Sequence, residues 1–159
     1  MHMPRRRRIE MTERRRCETA YSDLELLARL IQCEAGGEGT DGMKAVAGVV
    51  MNRVRIQRGE YARVGRGSLR NIVFQKEQFQ CVNDFAAQSI YNMAPTGVHY
   101  EIAEWAFAGN RLTDLGEALW FFNPFSPSCP GNFPGRVGRF AARFGKHCFY
   151  VPTAAYDET

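Results

Sequence analysis

Two runs of helically spaced apolar residues, held apart by a cluster of glycines, decide how the first third of this 159-residue chain can fold. Leu24, Leu27, Ala28, Ile31 and Ala35 recur at the three- and four-residue spacing of one helix face. Ser22 precedes them as an N-cap, and Glu25 three residues later completes a capping-box pattern. Gly36, Gly37 and Gly39 then end the helix, because glycine accepts the backbone conformations that close a helix. Met43, Val46, Ala47, Val50 and Val54 form a second stripe, which predicts a helix over residues 42–57 capped by Thr40 or Asp41. The small residues Ala45, Ala47 and Gly48 permit close helix packing, so this second helix is expected at the centre of the core.

The remainder alternates short elements with punctuation. Residues 58–67 are basic and glycine-rich and read as a loop. Ser68 can cap a short helix over 69–74, and the polar stretch 75–81 fits an exposed segment or a cleft wall. Pro95 and Thr96 introduce a helix over 97–109 that buries Ile102, Ala103, Trp105, Ala106 and Phe107. Residues 118–122 read as a short strand, the proline-rich 123–134 as an irregular loop, and 144–151 as an extended aromatic segment. The expected fold class is a single α+β domain, mainly helical, spanning residues 21–152. A basic, disordered arm over 1–20 precedes it, and a tail over 153–159 follows.

Charge is unevenly placed. Residues 1–16 hold seven arginines against Glu10 and Glu13, whereas residues 17–159 carry 14 basic and 15 acidic side chains. The basic character thus belongs to the arm. The near-neutral remainder does not support a nucleic-acid-binding domain, and no nucleic-acid partner is expected. No apolar run reaches the roughly 20 residues of a membrane span, and no apolar core follows the arginines as a secretory signal would require. The five cysteines, Cys17, Cys33, Cys81, Cys129 and Cys148, show no C-x-x-C spacing, so no metal site and no cofactor are expected. His147 and Cys148 are adjacent on an extended segment and point to opposite faces. One or two disulfides and buried thiols both remain open readings.

Residues 27–39, LARLIQCEAGGEG, resemble the opening motif of the SleB/CwlJ-type cell-wall hydrolases, L-A-R-x-I-x-x-E-A-x-G-E. Gly42 and residues 45–54, AVAGVVMNRV, are similar to the family's G-x-x-A-V-A-x-V-x-x-N-R-V. Gln78-Phe79 matches its Q-F, residues 118–124 its A-L-x-F-x-N-P, and residues 145–150 its closing G-x-H-x-F-Y. These motifs keep their order across residues 24–151. The resemblance implies a lysozyme-like, lytic-transglycosylase-like fold and action on peptidoglycan glycan strands, notably spore cortex, at the cell wall or the spore cortex and coat. An accessory spore-coat protein is a further implied partner. It places the catalytic glutamate at Glu34.

That assignment has a chemical rationale. Glycosidic cleavage needs a proton on the leaving oxygen, which a carboxylic acid supplies. Glu34 follows an apolar helix face and stands beside a glycine turn open to a bulky polymer. By position alone it reads as a solvated residue near a helix end. A lytic transglycosylase uses one glutamate as acid and then as base, whereas a hydrolase more often needs a second carboxylate, for which Glu38 is nearest in sequence. Asn52, Gln78 and Asn123 are candidates for fixed hydrogen bonds to substrate or to the glutamate. Phe79, Trp120, Phe122 and Tyr150 are candidate sugar-stacking rings, and His147 is a candidate site residue from the closing motif. The alternatives are a glycan hydrolase, an amidase removing stem peptides, with Cys33 and His147 as a conceivable nucleophilic pair, and a non-catalytic peptidoglycan-binding module.

Overall fold

The computed structural model describes residues 20–83 and 89–159. The arginine-rich stretch 1–16 and Cys17 lie outside them. Among the described residues, six α-helices of known extent precede the sheet: α1 (Asp23–Ala35), α2 (Gly39–Arg55), α3 (Gly59–Gly65), α4 (Leu69–Val73), α5 (Gln80–Asn83) and α6 (Gly97–Phe107). Four strands follow: β1 (Trp120–Phe122), β2 (Asn132–Phe133), β3 (Gly138–Phe144) and β4 (His147–Pro152). They form one antiparallel sheet in the order β1-β4-β3-β2. The α+β, mainly helical class read from the sequence is the class observed.

Helix α2 is the core element that its small-residue pattern predicts. Residues Ala45 to Met51 are buried, and α1 and α6 pack against α2. A methyl group at Gly48 would overlap the side chain of the fully buried Leu115, so glycine sets how closely that segment lies on α2. The Ser22 cap forms as expected, its hydroxyl accepting from the Glu25 N–H at 3.1 Å. Glu25 itself accepts from Arg29 Nε at 3.0 Å. Helix α2 starts at Gly39 rather than 42, with Glu38 and neither Thr40 nor Asp41 at the N-cap position. The Glu38 side chain makes no cap bond because its carboxylate reaches across to the sheet.

Three other expectations are corrected. Residues 58–67 are not a loop: Gly59–Gly65 is helical, held by the buried ring of Tyr61. The proline-rich 123–134 is not wholly irregular, since Asn132 and Phe133 pair with Arg139 and Gly138 as β2. Residues 153–159 are not a tail. They end in a 3₁₀ turn, Ala154–Glu158, that inserts the fully buried Tyr156 against Tyr61 and Trp120. The Tyr156 hydroxyl accepts from the Tyr61 N–H and donates to the Arg58 carbonyl, each at 3.0 Å, which locks α3 to the C-terminus.

Cys129 and Cys148 form a disulfide that ties the 123–131 loop to β4. Arg53 is 4% exposed and links four segments. Its Nε donates to the Leu119 carbonyl at 2.7 Å and its Nη1 to Gln78 Oε1 at 3.5 Å, and its guanidinium lies over the Tyr61 and Phe79 rings.

Gly59 offers a direct check on the docked C-terminus. Its φ is +71°, and an added methyl would overlap the Tyr156 ring. Gly59→Ala is expected to destabilise the fold by about 1–3 kcal/mol, read as a lower urea midpoint. An unchanged midpoint would mean that α3 and the 3₁₀ turn do not pack this way.

Candidate active site

The last turn of α1, the glycine turn after it and the β3–β4 hairpin meet at one seam between the helices and the sheet. Glu34 occupies that last turn because the apolar stripe of α1 runs up to Ala35 and stops at Gly36. Its side chain is half-buried, and its Oε1 is buried without a hydrogen-bond partner. A side chain built at Gly37 would meet nothing within 4 Å, so the approach over the glycine turn is open. Glu34 therefore combines a sheltered oxygen with access from solvent, the combination that a proton donor to a large substrate requires.

Glu38 approaches the same seam from the start of α2. Its Oε2 accepts from the Lys146 N–H at 2.8 Å, across the hairpin turn at Gly145. Gly145 has φ +58°, and any Cβ there would overlap the Glu38 carboxylate, so this bond requires glycine at the turn. His147 follows directly. Its ring is half-buried, edge-on to Phe121 at 5.2 Å, and its Nδ1 is buried without a partner. Burial pushes its pKa below the usual histidine value, while the charges of Glu38 and Glu34 oppose that shift. Cys81, 8% exposed, is a further buried group close to Cys33 and Glu34. Contact with Cys33, then burial, then Glu34 push the Cys81 pKa upward and keep it a protonated thiol.

Of the residues named from the sequence, Glu34, Glu38 and His147 come together. Asn52 does not join them. It lies 14 residues beyond Glu38, about 21 Å along the helix axis. Its Nδ2 donates to the Gly116 and Ala118 carbonyls at 3.0 and 2.9 Å, and its Oδ1 accepts from Arg111 at 3.2 Å. A cavity of about 580 Å³ lies there, lined by Asn52, Arg55, Arg58, Arg111 and Glu117 among others. Gln78 accepts from the Tyr61 hydroxyl at 3.0 Å and supports Arg53. Phe79, Trp120 and Tyr150 are core rings rather than exposed platforms. Phe79 is 2% exposed, and Tyr150 is fully buried with its hydroxyl donating to the Pro130 carbonyl at 2.7 Å. Phe122 stacks on Tyr150 and remains half-buried. Asn123 Oδ1 accepts from the Phe125 N–H at 2.8 Å and shapes the following turn.

That turn presents a residue the sequence reading did not single out. Phe125 is 91% exposed at φ +52°. Arg143 connects its loop to the hairpin turn beside Glu38, donating to the Ser126 carbonyl at 2.9 Å and to the Gly145 carbonyl at 3.3 Å. The proline-rich setting of Phe125 was the available signal, but it read as a loop without direction. Among the described residues, no group of three or more His, Cys, Asp or Glu side chains is arranged to hold a metal ion. No helix among them is long and apolar enough to cross a membrane.

The buried imidazole has a measurable consequence. Between its folded pKa and about 6.5, the unfolded chain binds a proton at His147 that the folded chain refuses. Stability therefore falls as pH drops through about 6.5 and levels off below the folded value. His99, also lowered by burial, adds a slope of the same sign. His147→Gln is expected to lose less of its urea midpoint than wild type between pH 7 and pH 5. An equal fall in both proteins would contradict the buried neutral ring.

Comparison with known proteins gives a consistent identification. The family described as cell wall hydrolase matches residues 37–150. The cell wall hydrolase CwlJ of Bacillus subtilis (strain 168) is 32% identical over 133 residues, covering 84% of this chain and 87% of CwlJ. The spore cortex-lytic enzyme of the same organism is 31% identical over 128 residues, covering 80% of this chain and 37% of that protein. The catalytic domain of the germination-specific lytic transglycosylase SleB from Bacillus anthracis superposes with a TM-score of 0.60 at 25% identity, covering 83% of this chain and 98% of that domain. The SleB catalytic domain from Bacillus cereus gives 0.58 at 27%, covering 82% of this chain and 91% of that one. With the motif order, the α+β fold and the matched length in agreement, the chain belongs to the cell wall hydrolase family of the CwlJ/SleB type.

Proposed function

We propose that this protein cleaves the glycan strands of peptidoglycan, spore cortex in particular, as a lytic transglycosylase that uses Glu34 as its only acid and base. The supporting observation is the division of labour between the two carboxylates at the seam. Glu38 is spent on the Lys146 N–H, whereas Glu34 keeps a buried, unpartnered oxygen beside an open approach. The relatives' names agree, one being a spore cortex-lytic enzyme and another a lytic transglycosylase.

The chemistry needs one proton passed twice. The Glu34 carboxylic acid protonates the glycosidic oxygen as the bond from C1 of N-acetylmuramic acid to N-acetylglucosamine breaks. The resulting carboxylate removes the proton from the C6 hydroxyl of the same muramic residue. The C6 oxygen then closes on C1 and leaves a 1,6-anhydro sugar, and Glu34 regains its proton without entry of water. In this scheme Glu38 is a positioning residue that fixes the turn after Glu34 against the hairpin. His147 walls the seam, and the exposed Phe125 ring offers an apolar face to a pyranose. The working location is the cell wall or spore cortex and coat, with an accessory coat protein as a second partner.

Glu34→Gln keeps the shape and removes the proton. Digests of purified cortex and of vegetative peptidoglycan by wild type are expected to yield anhydro-muramic ends in mass spectra. The variant is expected to lose at least about a hundredfold in rate, the scale of general acid–base catalysis. Reducing ends formed by added water would indicate a hydrolase and make Glu38 the second carboxylate to test. Released stem peptides, or equal activity in the variant, would sink the glutamate mechanism.

A further inference from the structure

We infer that the cavity at the far end of α2 is a second binding site, which takes a zwitterionic peptide group: a carboxylate with an ammonium beside it, as on the diamino acid of a peptidoglycan stem peptide. The choice of a stem peptide rests on the function proposed above, whereas the charge chemistry of the cavity does not. The cavity measures about 580 Å³, a size common for small-ligand sites. It stands about 21 Å along α2 from Glu38, away from the seam where cleavage is placed.

Charge decides what the cavity can hold. Arg55, Arg58 and Arg111 line it against a single carboxylate, Glu117. Residues 17–159 as a whole are nearly neutral, with 14 basic and 15 acidic side chains, so three guanidiniums around one cavity are a local concentration of positive charge. Each is fixed by its own bonds. Arg111 Nη1 donates to Asn52 Oδ1 at 3.2 Å, and Arg58 Nε donates to Asp157 Oδ1 at 2.7 Å. Arg55 Nη2 donates to the Ala106 and Phe107 carbonyls at 3.1 and 3.0 Å. Those two carbonyls end α6, and their partial negative charge would repel an anion if Arg55 did not cover it. A guanidinium has five N–H donors, so these bonds leave donors on all three arginines. Held in place with donors to spare, they suit the paired hydrogen bonds of a carboxylate.

Glu117 supplies the opposite sign. It is exposed, and among the described residues no hydrogen bond or ion pair engages its carboxylate. The carbonyls on either side of it, Gly116 and Ala118, accept from Asn52 Nδ2 at 3.0 and 2.9 Å. One asparagine therefore holds both Glu117 and Arg111 at the rim, which gives this motif residue a place away from the seam. A plain anion such as phosphate gains nothing from Glu117 and is repelled by it. A group with an ammonium beside its carboxylate answers both signs.

The test is calorimetric titration of the full-length protein with a free stem tripeptide, acetylated at its N-terminus, whose last residue is diaminopimelate. The comparison ligands are the same peptide acetylated on the side-chain amine, and inorganic phosphate. The diamino peptide is expected to bind, and Arg111→Gln to weaken it about tenfold. Glu117→Gln is expected to weaken the diamino peptide about fivefold and to leave the side-chain-acetylated peptide unchanged. Glu34→Gln is expected to bind the diamino peptide as wild type does, which separates the cavity from the seam. Both cavity substitutions change exposed side chains. No saturable binding, binding that Arg111→Gln leaves unchanged, or tighter binding of phosphate than of the diamino peptide would overturn the inference. The titration does not depend on turnover. Peptide binding by a protein that cleaves no glycan would count against the proposed function and leave the second site standing, and cleavage without peptide binding would do the reverse.

Discussion

The buried guanidinium of Arg53 is the interaction on which the rest of the structure depends. Removing such a cation from water costs several kcal/mol unless its donors are used and its faces are covered. Here the donors go to the Leu119 carbonyl and to Gln78, and the faces lie over Tyr61 and Phe79. Burial lowers its pKa, opposed by Tyr61, Glu60 and Glu34 in that order. One side chain on α2 thus holds the entry to β1, the turn before α5 and helix α3.

The candidate site follows from joining this helical half to a sheet that comes last in the chain. At the site the two halves meet through the carboxylate of Glu38, the N–H of Lys146 and a glycine between them that leaves room. The catalytic role proposed for Glu34 depends on this seam staying closed on the sheet side and open over Gly37. The disulfide acts on the same side, anchoring the loop that carries Phe125 to the strand that begins with His147.

Much of the helical half was legible because its apolar period survives in single residues: α1, α2 and α6 bury most of the stripes that their spacing announces, with Leu24, Val54, Trp105 and Phe107 partly buried at their margins. Helix α3 was hidden by its glycines and arginines, which signal a loop, although Tyr61 carries the burial that makes it a helix. Strand β3 was hidden for a different reason. The register shift between Phe140 and Ala142 breaks the alternation by which a strand is recognised. The C-terminal turn depends on one residue, Tyr156, whose hydrogen-bond partners Tyr61 and Arg58 are 95 and 98 positions away, and no local pattern reports such a contact. For the site, the motifs marked residues without marking direction. Glu34, Glu38 and His147 face the seam, while Tyr150, Phe79 and Asn52 from the same motifs face the core or the far end of α2.

The central claim is that cleavage is intramolecular, with Glu34 returning the proton and water taking no part. Digestion of purified cortex in ¹⁸O-labelled water, with products read by mass spectrometry, measures this directly. The account predicts anhydro-muramic ends carrying no label. Reducing ends carrying one ¹⁸O atom would contradict it, because water would then have taken the place assigned to the muramic C6 hydroxyl.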